Sequence, residues 1–338
     1  MDAIAHEIGL DKQYLKNHFF SWAGRVLFSA MLFLSLLFGS ISYAEAQTVH
    51  LVSTKQSKLI DRFQNLLKKD APLLDVGFIN VKALPDTKLN VSDVYILVGK
   101  QVLRSSEINH FSSKHNVMAV MVTHDQVEKN TLIDNTVFFE PPLERQMALA
   151  SVLFPASHIG LLAKSPMQQT SIEKQLKQFK LSFSVENIAG KDLNQALYHI
   201  LKRSDLLVAA YDVELYSPKN IKNILVTSYR QSKVLIGPSK AYLKAGAYAS
   251  TYSSLDDVSK RVAEIVEHFN KTKTWLPSGY NPYYHIKINN NVARSLGLPQ
   301  HDVKEVKKEV EEFIRTKGSG KKFSSIQGRK AKGVEAGK

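Results

Sequence analysis

The sequence predicts an α/β protein of two lobes, each built on a parallel sheet. Three observations carry that prediction. Short apolar runs of strand length alternate with amphipathic stretches of helical spacing, a pattern that requires right-handed crossovers between parallel strands. Some runs, such as 94–98, are apolar throughout instead of alternating, as strands covered on both faces are. The pattern also breaks at Pro141 and Pro142 and then starts again, so the chain holds two such series.

In the first series, 48–52 reads as a strand and 59–69 as a helix with Leu59, Phe63, Leu66 and Leu67 on one face. Strands follow at 76–81, 94–98 and 117–122, and a short one at 137–139 meets the two prolines. The second series opens with a helix at 143–153 that stops at Pro155. It continues with a strand at 158–163, a helix at 172–179, a strand at 181–188 and a helix at 193–201. A strand at 206–211, a helix at 218–228, a strand at 233–236 and a turn at 237–239 complete it. The last third is ordered differently. An amphipathic helix over 255–269 buries Val258, Val262, Ile265, Val266 and Phe269, and a loop rich in Pro, Gly and Tyr spans 275–284. A strand at 285–288, a short helix from Asn290 and a charged helix at 303–316 close the pattern.

The start of the chain has a different character. Arg25 precedes an apolar run at 26–38, and the small residues Ala44 and Ala46 flank Glu45. A cation, an apolar stretch and a small-x-small end are the marks of a secretory signal peptide cut after Ala46, with the protein working in the periplasm. The alternative is an uncleaved inner-membrane anchor. A spanning helix needs about 20 apolar residues, and 26–43 reaches 18 only by counting four serines and a glycine. In either case residues 1–46 stand apart from the globular chain. The chain has no cysteine, which excludes lipid anchoring at a cysteine, thiolate metal sites and cysteine nucleophiles. The chain beyond Ala46 is long enough to bury a core without disulfides, so an oxidising compartment is compatible.

The formal net charge is +14. Half of it lies from Arg315 onward, where eight cations face Glu335 alone among glycines and serines. Residues 317–338 therefore read as a disordered basic tail, solvated or in loose contact with anionic lipid or cell-wall surfaces. The rest is mildly basic with no interleaving of aromatic and basic residues, which excludes nucleic acid as a partner.

Four segments carry a resemblance. Residues 144–162 (ERQMALASVLFPASHIGLL), 204–212 (SDLLVAAYD), 245–250 (AGAYAS) and 288–298 (INNNVARSLGL) resemble, in order and spacing, motifs of the ABC-transporter substrate-binding-protein-like family of bacterial periplasmic components. The similarity covers roughly residues 48–313. It implies a type I periplasmic-binding-protein architecture: two Rossmann-like lobes, a hinge of three chain segments, and a small ligand in the cleft. The implied division is 47–156 with 248–275 for one lobe and 157–247 with 276–316 for the other. One departure stands out. Family members that bind aromatic amino acids usually carry a Gly-containing loop before the joining helix, where this chain has Phe138, Phe139, Glu140, Pro141 and Pro142.

No phosphate-binding G-x-x-x-x-G-K-[ST], no H-E-x-x-H and no G-x-S-x-G occurs, so no enzyme and no cofactor is expected. The eleven histidines include no i, i+4 pair, and a metal site drawn from His50, His110, His115 and His124 has only their presence behind it. A binding site is argued from position. In open parallel sheets ligands sit beyond the carboxyl ends of the strands. Those positions are Ser53 and Thr54, Gly99 and Lys100, Thr123 and His124, Tyr211 and Asp212, and Gly237 with Ser239. Ser53 and Thr54 fit a helix cap equally well. Asp212 suits a ligand ammonium or a cap, and Tyr211 a ligand's apolar face or the hydrophobic layer. Glu140 and Arg145 suggest an ion pair between lobes. The expected activity is binding of a small, amino-acid-like ligand and its delivery to an ABC permease. The alternative is a sensor or scaffold that keeps the fold and reports to a membrane signalling protein or receptor.

Overall fold

The computed structural model describes residues 48–128 and 130–317. The signal or anchor segment at 1–46 and the basic tail beyond Lys317 lie outside them. Among the described residues no helix is long and apolar enough to cross a membrane.

The first lobe opens with β1 (Thr48–Ser53), α1 (Lys58–Asp70), β2 (Asp75–Asn80), β3 (Val94–Val98), α2 (Lys100–Leu103), β4 (Asn116–Val122), α3 (His124–Val127) and β5 (Asn135–Phe138). The chain crosses into the second lobe for α4 (Leu143–Leu153), β6 (Ile159–Ala163), α5 (Pro166–Leu176), β7 (Phe183–Asn187) and α6 (Leu193–Arg203). It stays there through β8 (Leu206–Val208), α7 (Pro218–Arg230), β9 (Leu235–Ile236), α8 (Lys240–Ala245) and β10 (Ala249–Tyr252). It returns for α9 (Leu255–Thr272) and β11 (Gly279–Tyr280), then crosses a third time into β12 (His285–Ile288), α10 (Asn290–Ser295) and α11 (Val303–Lys317).

Each lobe holds one six-stranded sheet. The orders are β2-β1-β3-β4-β5-β11 and β7-β6-β8-β9-β10-β12, the same winding twice. The strands pair in parallel, apart from β10 with β12. The order reverses between β1 and β3 and between β6 and β8, so each sheet has a switch point where its strand ends leave a crevice.

Burial explains the layers. On the first sheet, Phe63 and Leu67 of α1 and Val262 and Val266 of α9 cover Val49, Leu51, Ile96 and Val120. Val81, Leu84, Ile108 and Phe111 cover Tyr95 and Leu97 on the other face. On the second sheet, α4 and α11 close one side and α6 and α7 the other. Each aliphatic or aromatic side chain enclosed in this way contributes about 1.5–3 kcal/mol.

The packing divides the chain differently from the sequence expectation. Helix α4 belongs to the second lobe, because eight of its eleven residues are buried and so need cover all round. It finds that cover between the second sheet and α11. Strand β10 pairs with β9 and β12 in the second lobe, and β11 extends the first. Smaller corrections come from caps and register. Leu59, expected on the inner face of α1, is 50% exposed, and Ile60 is buried in its place with Phe63 and Leu67. Helix α5 starts at Pro166, six residues before the expected 172, because the Ser165 side chain accepts from the Gln168 amide and Pro166 suits the first turn. Strand β8 ends at Val208 where 211 was expected, β11 lies within the loop expected at 275–284, and α8 had no expectation.

Candidate functional site

On the first lobe, the expected site residues surround the ends of β1, β3 and β4. Ser53 is buried, and the Thr54 hydroxyl lies 3.4 Å from Gln101 Oε1. Neither caps α1, whose cap is Ser57 accepting from the Ile60 amide. Gly99 turns the chain from β3 into α2 at φ +84°, a left-handed conformation that favours glycine, and its amide is already bonded to Val120 O at 2.9 Å. Lys100 is exposed. Thr123 starts α3, and its amide donates to Gln126 Oε1 at 3.1 Å. The first lobe thus brings hydroxyls and one cation to its crevice, with Gly99 and Thr123 using their amides internally.

On the second lobe, Asp212 follows β8 and is 7% exposed. Its Oδ1 accepts from the amides of Glu214 and Leu215, both at 2.9 Å, so it holds the turn after the strand. Its Oδ2 faces Lys164 Nζ and Gln168 Nε2, both at 3.3 Å. Lys164 leaves the end of β6, so the pair sits at the switch point of this sheet. The Asp212 carboxylate holds the Lys164 ammonium charged and raises its pKa. Gly237 leaves no room for a side chain, since a Cβ there would stand 2.7 Å from Tyr242 Cβ. Ser239 begins α8 half-buried, with no side-chain capping bond.

The first crossing runs between these two groups. Phe139 meets the Tyr211 ring edge-on, with centroids 6.4 Å apart. Glu140 is 8% exposed, and its Oε1 accepts from the His124 amide at 2.8 Å. Burial pushes the Glu140 carboxyl up to about 7. The neighbouring Asp125 carboxylate holds the His124 imidazole above its ordinary pKa, against the effect of its own burial. Hydrogen bonding to His124 is the main effect that holds the exposed Asp125 carboxyl below its ordinary range, and Lys164 of the other lobe adds the smallest share. The expected Glu140–Arg145 ion pair does not form. Arg145 turns away into its own helix layer, donates to Asn281 O at 3.0 Å and stacks 4.0 Å over the Tyr284 ring.

Among solved structures, one similar fold is the ligand-free, open structure of CD0873, a substrate binding protein with adhesive properties from Clostridium difficile. It aligns at a TM-score of 0.59 and 11% identity, over 76% of this chain and 96% of that one. The ABC domain in complex with L-Trp from Streptococcus pneumonia aligns at 0.50 and 13% identity, over 78% of this chain and 98% of that one. No protein-family model and no curated relative matches the chain. The chain has the type I periplasmic-binding-protein fold.

Side chains distant in sequence converge here, as Phe139 with Tyr211 and Glu140 with His124 show. Sequence reasoning missed Lys164 and Asp125. Lys164 was findable, because it ends an apolar strand immediately before the Ser165-Pro166 helix start, the same signal that selected Asp212. Asp125 carried no such signal beyond following the strand-end His124. The histidines do not gather. His50 bonds Asp93 at 2.9 Å and stacks on Tyr95, His115 lies edge-on to the same tyrosine, and His124 packs against Phe138. Among the described residues no group of three or more His, Cys, Asp or Glu could hold a metal ion.

Proposed function

We propose that this protein is an extracytoplasmic solute-binding protein that takes a small ligand between its lobes and presents the closed form to an ABC permease. The observation that supports this reading is the meeting of both lobes and the first crossing at one place. Lys164, Tyr211 and Asp212 come from the second lobe, His124 and Asp125 from the first, and Phe139 and Glu140 from the crossing. Charges of both signs beside two aromatic rings suit an amino-acid-like zwitterion whose apolar part lies against Tyr211 and Phe139. Ser53, Thr54, Gly99, Lys100, Thr123 and Ser239 would complete the contacts as the lobes close.

Thermal shift of the purified protein against amino acids, nucleosides, sugars, peptides and oligoanions tests the reading. A ligand that binds only the folded form stabilises it by about 2.7 kcal/mol at a hundred times its Kd. A rise in Tm with one class, matched by calorimetric binding, is the expected result. Protein groups already fill part of the cleft, since Lys164 neutralises Asp212 and Phe139 stands against Tyr211. That observation favours a second reading, a sensor or scaffold that meets a membrane protein without carrying cargo. An unchanged Tm across the whole panel would count for it.

A further inference from the structure

Away from the cleft, a cavity of about 430 Å³ opens between α9 of the first lobe, α4 and α11 of the second, and the edge pair β5 and β11. None of the strand-end residues of the cleft lines it. Its apolar wall includes Val137, Ile265, Pro282 and Ile314. Two guanidinium groups line it, Arg145 and Arg261. Arg145 is only 5% exposed, and although Nη2 donates to Asn281 O, its Nε is buried with no hydrogen-bond partner. Leaving a charged donor buried and unpaired costs more than a neutral one, and a carboxylate is the acceptor that fits its fork. Arg261 reaches Glu264 only at 3.4 Å, so its donors are loosely engaged. Glu311 is the one carboxylate in the lining. Its side chain is 56% exposed and shares its charge with Lys307, which leaves the deep end of the cavity cationic.

We propose that this cavity is a second binding site, for a small organic carboxylate with an apolar body. The carboxylate pairs with Arg145 and Arg261, and the body fills the wall of Val137, Ile265 and Ile314. The volume is within the range of small-molecule sites, about 300–1,000 Å³. The site stands independently of the cleft reading.

Calorimetry on the full chain at pH 7 and constant ionic strength tests it with benzoate and 3-phenylpropionate, each against its neutral amide. At least one acid is expected to bind with one-to-one stoichiometry and at least tenfold more tightly than its amide. Arg261→Gln should weaken the acid at least tenfold, and Ile265→Trp, which fills the cavity, should abolish binding. Arg145→Gln should act like Arg261→Gln; because Arg145 and Ile265 are both buried and their variants can fail to fold, the Arg261 variant, read against Lys164→Ala, carries the test. Lys164→Ala, in the cleft, should leave the acid's affinity unchanged. Equal affinity for acids and amides, no binding of either acid, or loss of binding in Lys164→Ala with retention in Arg261→Gln would overturn the proposal.

Discussion

Glu140 shows what burial does to a single side chain. One carboxylate oxygen accepts from the His124 amide and the other is buried with no partner, so the protonated form is favoured and the pKa rises to about 7. The unfolded value is close to 4.5. Between these two values the folded protein binds more protons than the unfolded chain. Stability from this group is therefore complete below pH 4.5 and lost as pH rises through 7, by at most about 3 kcal/mol. Glu140→Gln should flatten that part of the profile, checked by urea unfolding at pH 5 and pH 8. An identical slope in the variant would assign the pH dependence to other groups. Asp212 separates two roles in the same way. Asp212→Asn keeps an acceptor for the Glu214 and Leu215 amides while removing the charge that holds Lys164. Asp212→Ala leaves the buried Leu215 amide without its partner and should cost about 1–3 kcal/mol. If the cleft binds a zwitterion through this carboxylate, Asp212→Asn loses affinity with little loss of Tm; equal affinity would remove Asp212 from the site.

At the scale of elements, register decides which apolar residues count. In α1, Ile60, Phe63 and Leu67 follow the spacing of a buried stripe, and Leu59 lies outside it. Ile60→Ala should destabilise by about 2–5 kcal/mol and Leu59→Ala by no more than about 0.5 kcal/mol, measured by denaturant unfolding. A comparable loss from both would mean that α1 is rotated from the register described. Helix α9 starts with a reciprocal capping box, in which the Ser254 amide donates to Asp257 Oδ2 at 2.6 Å and the Asp257 amide to Ser254 Oγ at 3.2 Å. Ser254→Ala should cost about 1 kcal/mol in the same assay. Strands buried on both faces and helices with a strong apolar stripe were legible from the sequence, as β3 and α9 are. The two-residue β11 was not, and β8 and β9 are shorter than the strands expected at 206–211 and 233–236, because so few residues carry no periodicity that would mark where pairing stops.

For the whole molecule, the chain crosses between lobes at 139–142, 253–254 and 281–284, so three chain segments form the hinge on which the proposed cleft ligand would act. A cleft ligand identified by thermal shift should lower the radius of gyration in small-angle scattering at saturation. Binding with an unchanged radius would place the ligand elsewhere, the cavity lined by Arg145 included. The crossings also show why the lobe boundaries could not be read along the chain. Helix α4 is apolar enough to need enclosure, yet nothing local says which sheet encloses it.

The sequence by itself determined two α/β series, the positions of the long strands and helices, and a set of strand-end residues, because these depend on periodicity and on local breaks such as Pro141 and Pro142. Only the tertiary structure decided which strand joins which sheet, that Lys164 faces Asp212 at the switch point of the second sheet, and that Arg145 pairs with Asn281 and Tyr284 instead of Glu140. Those outcomes depend on contacts between residues tens to more than a hundred positions apart, and the choice of partner is made by burial and geometry that no local pattern records.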